Sequence, residues 1–277
     1  MGGIGSTRSA AALAFAALLG LSHAFPAAAL DREDLAAARE AYAKAAGPPE
    51  RQTTALHLGL LLLRRATNRP AASQQPPMPD QPAPSAAAEL TEAEHLFREA
   101  AAGGGHQADE GEAGVLAALL ARGPGGASEV NGELQRLQQR GRGTGVLLCM
   151  AMKDLLQGFH RDAMLAAGDL VDDHVHALLP AAPYVSSTRV SRPEALAAPM
   201  PGYPEQARKD RERGHVVFQA VIDEHGQVAD FLIIRPAPTL LAEVAAKALR
   251  RWTFRPALRD GKAVPFCFQP VITFTVQ

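Results

Sequence analysis

Asp172-Asp-His-Val-His176 is the stretch whose residue types and spacing come nearest to chemistry. On a helix, Asp169, Asp173 and His176 fall on one face, and two carboxylates with an imidazole form a donor set that a divalent cation could use. No second ligand set is identifiable in the chain, and an ordinary polar helix face accounts for the same residues. No metal site is assigned. The other catalytic patterns fail in the same way: no glycine-rich phosphate loop follows a strand, no nucleophile elbow occurs, and Cys149 lies in an apolar run without a base beside it. The chain reads as a non-enzyme, with no catalytic residue and no cofactor.

Cys149 and Cys267 are the only two cysteines. They fall in segments of different character, and the reading is two buried free thiols in place of a bridge. With 277 residues, 47% of them hydrophobic, the chain can build a core for one or two domains. A net charge of −1 excludes a protein that wraps nucleic acid, which needs a strong basic excess to neutralise phosphates.

The elements that position these residues divide the chain into stretches of different composition. Residues 1–29 have the parts of a secretory signal: Arg8, an apolar run from Ala10 to Leu21, and small residues suited to cleavage. If retained, the run is an inner-membrane anchor; if cleaved, it leaves an exported chain. Residues 30–179 read as helical, rich in Ala, Leu, Glu, Arg and Gln, with a proline-rich insert over 70–84 that cannot be helical. Helices are expected from about Ala38 to Ala46, Gln52 to Ala66, Leu90 to Ala102, Glu112 to Arg122, Val130 to Arg140, Gly145 to Gln157 and His160 to Leu178. The prolines of 180–202 mark an extended connector.

From Tyr203 the pattern changes. Val216, Phe218, Ala220 and Ile222 alternate on one strand face, Asp223-Glu-His-Gly226 makes a tight loop, and Val228 to Arg235 returns. Leu241, Val244, Ala245, Ala248 and Trp252 have helical spacing, so a helix through Trp252 packs on the sheet. A closing strand runs from about Pro265 to Val276. Its prolines make it an edge strand, free on one side from Val271 onward. Between Tyr203 and Gln277 stand 11 basic and 8 acidic residues; most of these charges decorate a solvated surface.

Two resemblances follow. The segments Ala38-Arg-Glu-Ala-Tyr-Ala-Lys-Ala-Ala46 and Ala93-Glu-His-Leu-Phe-Arg-Glu-Ala-Ala101 match in pattern, and the helices after them match roughly, which resembles degenerate tetratricopeptide-type repeats. A plain helical bundle is the other reading of residues 30–179. The second resemblance covers about 75 residues. Tyr203-Pro204, Gly214, the strand-turn-strand around Asp223 to Gly226, Ala248-Leu-Arg-Arg-Trp252, Phe254-Arg-Pro-Ala257, Asp260-Gly261, Val264-Pro265 and Gln269-Pro-Val-Ile-Thr-Phe274 resemble, in this order, the C-terminal domain of the TonB family.

The expected fold is therefore multidomain: an all-α, repeat-type or bundled N-terminal domain, then a small α+β domain over 203–277. The TonB resemblance implies an envelope protein of the energy-transducer type. It implies binding of an extended outer-membrane transporter segment by strand addition at Val271, Ile272, Thr273, Phe274, Thr275 and Val276. The alternative is a soluble periplasmic scaffold using the same module without energy transduction. This chain departs from the family in two respects: its apolar start looks cleavable, and a helical domain stands where the spacer belongs.

Overall fold

A computed structural model describes residues 27–67, 86–157, 164–235 and 237–275. Most of the expected signal, the proline-rich insert and Val276 lie outside the described residues.

The first half is helical: α1 Ala27–Lys44, α2 Pro48–Thr67, α3 Ala86–Ala101, α4 His106–Ala121, a 3-10 turn Gly123–Gly126, α5 Ala127–Gln139, α6 Thr144–Leu156 and α7 Met164–Leu178. Prolines open α2, where the missing N–H is lost without cost, and glycines separate α3 from α4 and α4 from α5. Helices α2 and α3 run antiparallel, because Gln52 Nε2 donates to Ala100 O at 2.8 Å while Arg65 pairs with Glu89 at 3.0 Å. Helices α1 and α3 run the same way, joined by Arg39 to Glu92 at 2.7 Å and Tyr42 to Glu99 at 2.5 Å. Phe97 is the fully buried pin of this packing. Its ring lies over Gly59 of α2 and Gly114 of α4, and a Cβ at either glycine would overlap it.

The second half is a small α+β unit: β1 Glu194–Ala197, α8 Glu205–Lys209, β2 Gly214–Ile222, β3 Val228–Ile233, α9 Thr239–Leu249, β4 Thr253–Arg255, β5 Ala257–Arg259, β6 Lys262–Val264, β7 Phe266–Phe268 and β8 Val271–Phe274. Strand β2 is central. It pairs antiparallel with β3 on one side and with both β7 and β8 on the other. The β2–β3 turn forms because Asp223 Oδ1 accepts the N–H groups of His225 at 2.9 Å and Gln227 at 2.8 Å, while Gly226 takes φ 77°. Gly226 also lies so close to the Phe254 carbonyl that no side chain fits there.

The even-numbered residues of β2 behave as expected: Val216 and Phe218 pack with Leu241, Ala245 and Leu249 of α9 and with Ile272 and Phe274. The odd-numbered face is buried too. Val217, Gln219 and Val221 are all buried, and Val221 packs with Val146 and Cys149 of α6. The helical half thus supplies the second cover of the sheet.

Four expectations change. Cys149 and Cys267 are not free thiols: they form a disulfide that joins α6 to β7 across 118 residues of chain, with Cα atoms 5.5 Å apart. Segments assigned to separate halves by composition meet in space, which sequence distance conceals. The connector 180–202 is extended, but it is held against the second half. Tyr184 bridges Phe266, Val190 bridges Arg259, and β1 pairs with β4. Trp252 lies beyond α9, which ends at Leu249; its indole N–H donates to Pro199 O at 3.2 Å, so the ring ties the connector to the sheet's end instead of extending a helical face. The closing strand is two strands, β7 and β8, interrupted at Gln269-Pro270.

Candidate partner-binding edge

One register governs the whole outer strand. Ile222 faces Phe266, Ala220 faces Phe268, Val217 faces Val271 and Gly214 faces Phe274, so β7 and β8 follow a single alignment against β2 without a slip. In an antiparallel ladder, successive residues turn their N–H and C=O groups to opposite sides. Phe218 N–H donates to Pro270 O at 3.0 Å, which assigns the even-numbered residues to the β2 side. Pro270 therefore lacks its N–H on the inner side, where one ladder bond is lost. The outer row of backbone groups at Gln269, Val271, Thr273 and Thr275 is not interrupted by it.

Ile272 and Phe274 are buried under α9, whereas Val271 is 52% exposed and Thr273 and Thr275 are exposed. Thr273 Oγ1 lies 2.9 Å from His215 Nδ1 across the strand pair. Among the described residues, no strand pairs with the outer side of β8. Sequence reasoning placed the edge at Val271 to Val276. The structure brings Val271, Ile272, Thr273, Phe274 and Thr275 onto one strand end, with only Val271, Thr273 and Thr275 turning backbone groups outward. A free row of outward N–H and C=O groups is the feature that strand addition requires.

The β7 end is closed. Tyr184 N–H donates to Pro265 O and Cys267 N–H donates to Tyr184 O, each at 2.8 Å, in a parallel bridge. At the junction, Lys153 Nζ of α6 reaches Gln269 Oε1 at 3.3 Å. Sequence reasoning missed Tyr184. A lone tyrosine after proline gives no strand signal of its own.

The acidic cluster on α7 is an ion-pair seam. Asp169 accepts from Arg189 Nε at 3.0 Å and from the Thr188 hydroxyl, and Asp173 pairs with Arg189 at 2.7 Å and Arg259 at 3.3 Å. Burial pushes both carboxyls up, but these hydrogen bonds and charges outweigh it and hold them below the usual range. His176 points its Nδ1 at Asp172 O, 2.7 Å away, and its Nε2 at Ala182 O, 2.9 Å away. The donor set is consumed by the seam, and no group of metal-ligating residues is found among the described residues. Asp172 is buried and accepts Val185 N–H at 3.0 Å. Burial pushes its carboxyl up to about 7, against the Val185 N–H, Ser187 and Arg259.

Residues 199–276 match the family described as Gram-negative bacterial TonB protein C-terminal, and this part of the chain is a domain of that type. The solution NMR structure of the Pseudomonas aeruginosa TonB C-terminal domain matches at 22% sequence identity and a TM-score of 0.27. That match covers 33% of this chain and 90% of that one. No curated protein matches the sequence. Among the described residues, no helix is long and apolar enough to cross a membrane.

Proposed function

We propose that this chain is a periplasmic envelope protein that captures an extended segment of an outer-membrane transporter, or of another envelope partner, as an added strand on β8. The observation that carries this reading is the unpaired outer row at Val271, Thr273 and Thr275, in a domain of the TonB C-terminal type. The Cys149–Cys267 disulfide supports an oxidising compartment, where such bonds persist. A second reading, a scaffold without energy transduction, is favoured by that same bond. The helical half is clamped onto the sheet, an arrangement suited to holding partners side by side.

Thr273→Pro tests the edge. The substitution removes an outward N–H from the middle of the row and leaves the inward bonds of Ile272 and Phe274 in place. Titrating synthetic peptides from transporter extended segments should give saturable binding to the native protein and at least tenfold weaker binding to Thr273→Pro at unchanged Tm. Equal affinity of the two proteins would sink the strand-addition mechanism.

A further inference from the structure

Among the described residues, the outer row of the edge strand is covered at one position only. Cys267 N–H is occupied by Tyr184 O, and Pro265 O by Tyr184 N–H, while Val271, Thr273 and Thr275 face away from every described strand. Tyr184, in the segment Pro183-Tyr184-Val185, is thus a one-residue bridge that the chain supplies to its own edge.

Its anchoring exceeds what one bridge requires. The Tyr184 ring stacks on His176 with centroids 3.8 Å apart and planes 17° from parallel. The Arg259 guanidinium lies 5.0 Å from the centre of the same ring. Val185 N–H is held by buried Asp172 Oδ1 at 3.0 Å, and Ala182 O by His176 Nε2 at 2.9 Å. Arg259 in turn pairs with Asp173, so α7, the connector and β5 clamp the segment together. Ala182 and Val185 are buried.

We propose that this segment is a strap that sets where a captured strand stops at the β7 end. A captured strand runs along Gln269 to Thr275 and stops where Tyr184 begins; it gains the rung at Cys267 only by displacing the strap. Along the described part of the row, Gln269 to Thr275, it would occupy about seven residues, roughly 23 Å at strand spacing. This inference rests on reading β8 as the capture edge, and amide-resolved measurement separates the two.

Hydrogen exchange of individual amides is the test, with the chain's own residues 182–188, as acetyl-Ala-Pro-Tyr-Val-Ser-Ser-Thr-amide, as the probe. In the native protein the Cys267 amide should exchange at least tenfold more slowly than Val271, Thr273 and Thr275, and the peptide should leave it unchanged. In Tyr184→Ala, which loses the stack on His176, Cys267 should exchange at least tenfold faster than in the native protein, while the inward amides of Phe268 and Ile272 stay slow. The peptide should then restore its protection. Should Tyr184→Ala not fold, Arg259→Gln keeps the stack, removes the cation and should speed Cys267 about threefold. A Cys267 amide that exchanges as fast as Thr273 in the native protein overturns the strap, as does one indifferent to the variant that folds. Peptide protection at Thr273 but not at Cys267 in that variant also overturns it and leaves the capture edge standing. Protection at Cys267 with none at Thr273 upholds the strap and counts against the edge.

Discussion

The two faces of the central sheet are both buried, but by different means. On one, α9 follows β3 directly in the chain and packs Leu241, Ala245 and Leu249 against Val216 and Phe218. On the other, α6 arrives from the helical half and meets the sheet through Val146, Val221, Leu232 and the Cys149–Cys267 bond. The first cover is a continuous apolar core. The second is the helical core itself, against which Leu232, Ile234 and Cys267 pack, with a covalent link added; Gly143 at the start of α6 lies so close to Asp230 of β3 that a side chain there would collide with the carboxylate. Local packing suffices where chain connectivity already holds the helix nearby. Where the helix comes from far along the chain, a crosslink is added to the packing.

The largest expected effect is therefore removal of the bridge. Closing a loop of this length restricts the unfolded chain by about 4 to 5 kcal/mol in the chain-entropy account. Cys149→Ser with Cys267→Ser should lose stability of that order in denaturant unfolding. The α6 cover joins segments far apart in the chain, so without the bridge amides of α6 should lose protection before those of α9. Uniform loss across both helices would contradict the contrast between the two covers.

A pair of truncations sharpens the same contrast on a smaller scale. Phe218→Ala on the α9 face opens a cavity in a closed core and should cost about 3 to 5 kcal/mol. Val221→Ala on the α6 face removes two methyl groups at about 0.8 kcal/mol each, so about 1 to 2 kcal/mol. Phe218→Ala removes six carbons and Val221→Ala two, so equal total costs by chemical denaturation would show that the α6 cover is packed more tightly per atom than the α9 cover.

Reading the sequence recovered the α9 face and left most of the α6 face out, for a physical reason. Val216, Phe218, Ala220 and Ile222 alternate as a strand with one buried face must. Yet Val217 and Val221 are apolar as well, a signal of burial on both sides that alternation alone does not weigh. Strands β4, β5, β6 and β7 have three residues each, too few to carry a period. The Cys149–Cys267 pairing depends on which surfaces meet, which no local pattern encodes. At the candidate edge, a closing strand was legible from composition and from the prolines. The direction of their backbone groups was not, because it follows from the register that turns the missing N–H of Pro270 inward. Tyr184 was hidden for the complementary reason: prolines exclude a helix around it but say nothing of where its own N–H and C=O go.

The connector's attachment gives an effect as small as that of Val221→Ala, and its sign is specific. Asp172 ties Val185 to α7 from a buried position, and burial raises its carboxyl from the usual 3.8 to about 7. The folded protein therefore holds this proton more tightly than the unfolded chain does. The associated stability is complete below about pH 4 and is lost as pH rises through about 7. A tenfold difference in proton affinity between the folded and unfolded chain is worth about 1.4 kcal/mol, so native stability should fall by on the order of 2 kcal/mol between about pH 5 and pH 8 relative to Asp172→Asn. The amide keeps an acceptor for Val185 N–H and does not ionise, so its own curve isolates the Asp172 contribution from Asp169, Asp173 and His176 beside it. Parallel curves for the two proteins would mean that Asp172 keeps its charge inside the seam, compensated by Arg259. The connector would then be held by an ion pair, and its grip would strengthen with pH where a protonated carboxyl predicts weakening.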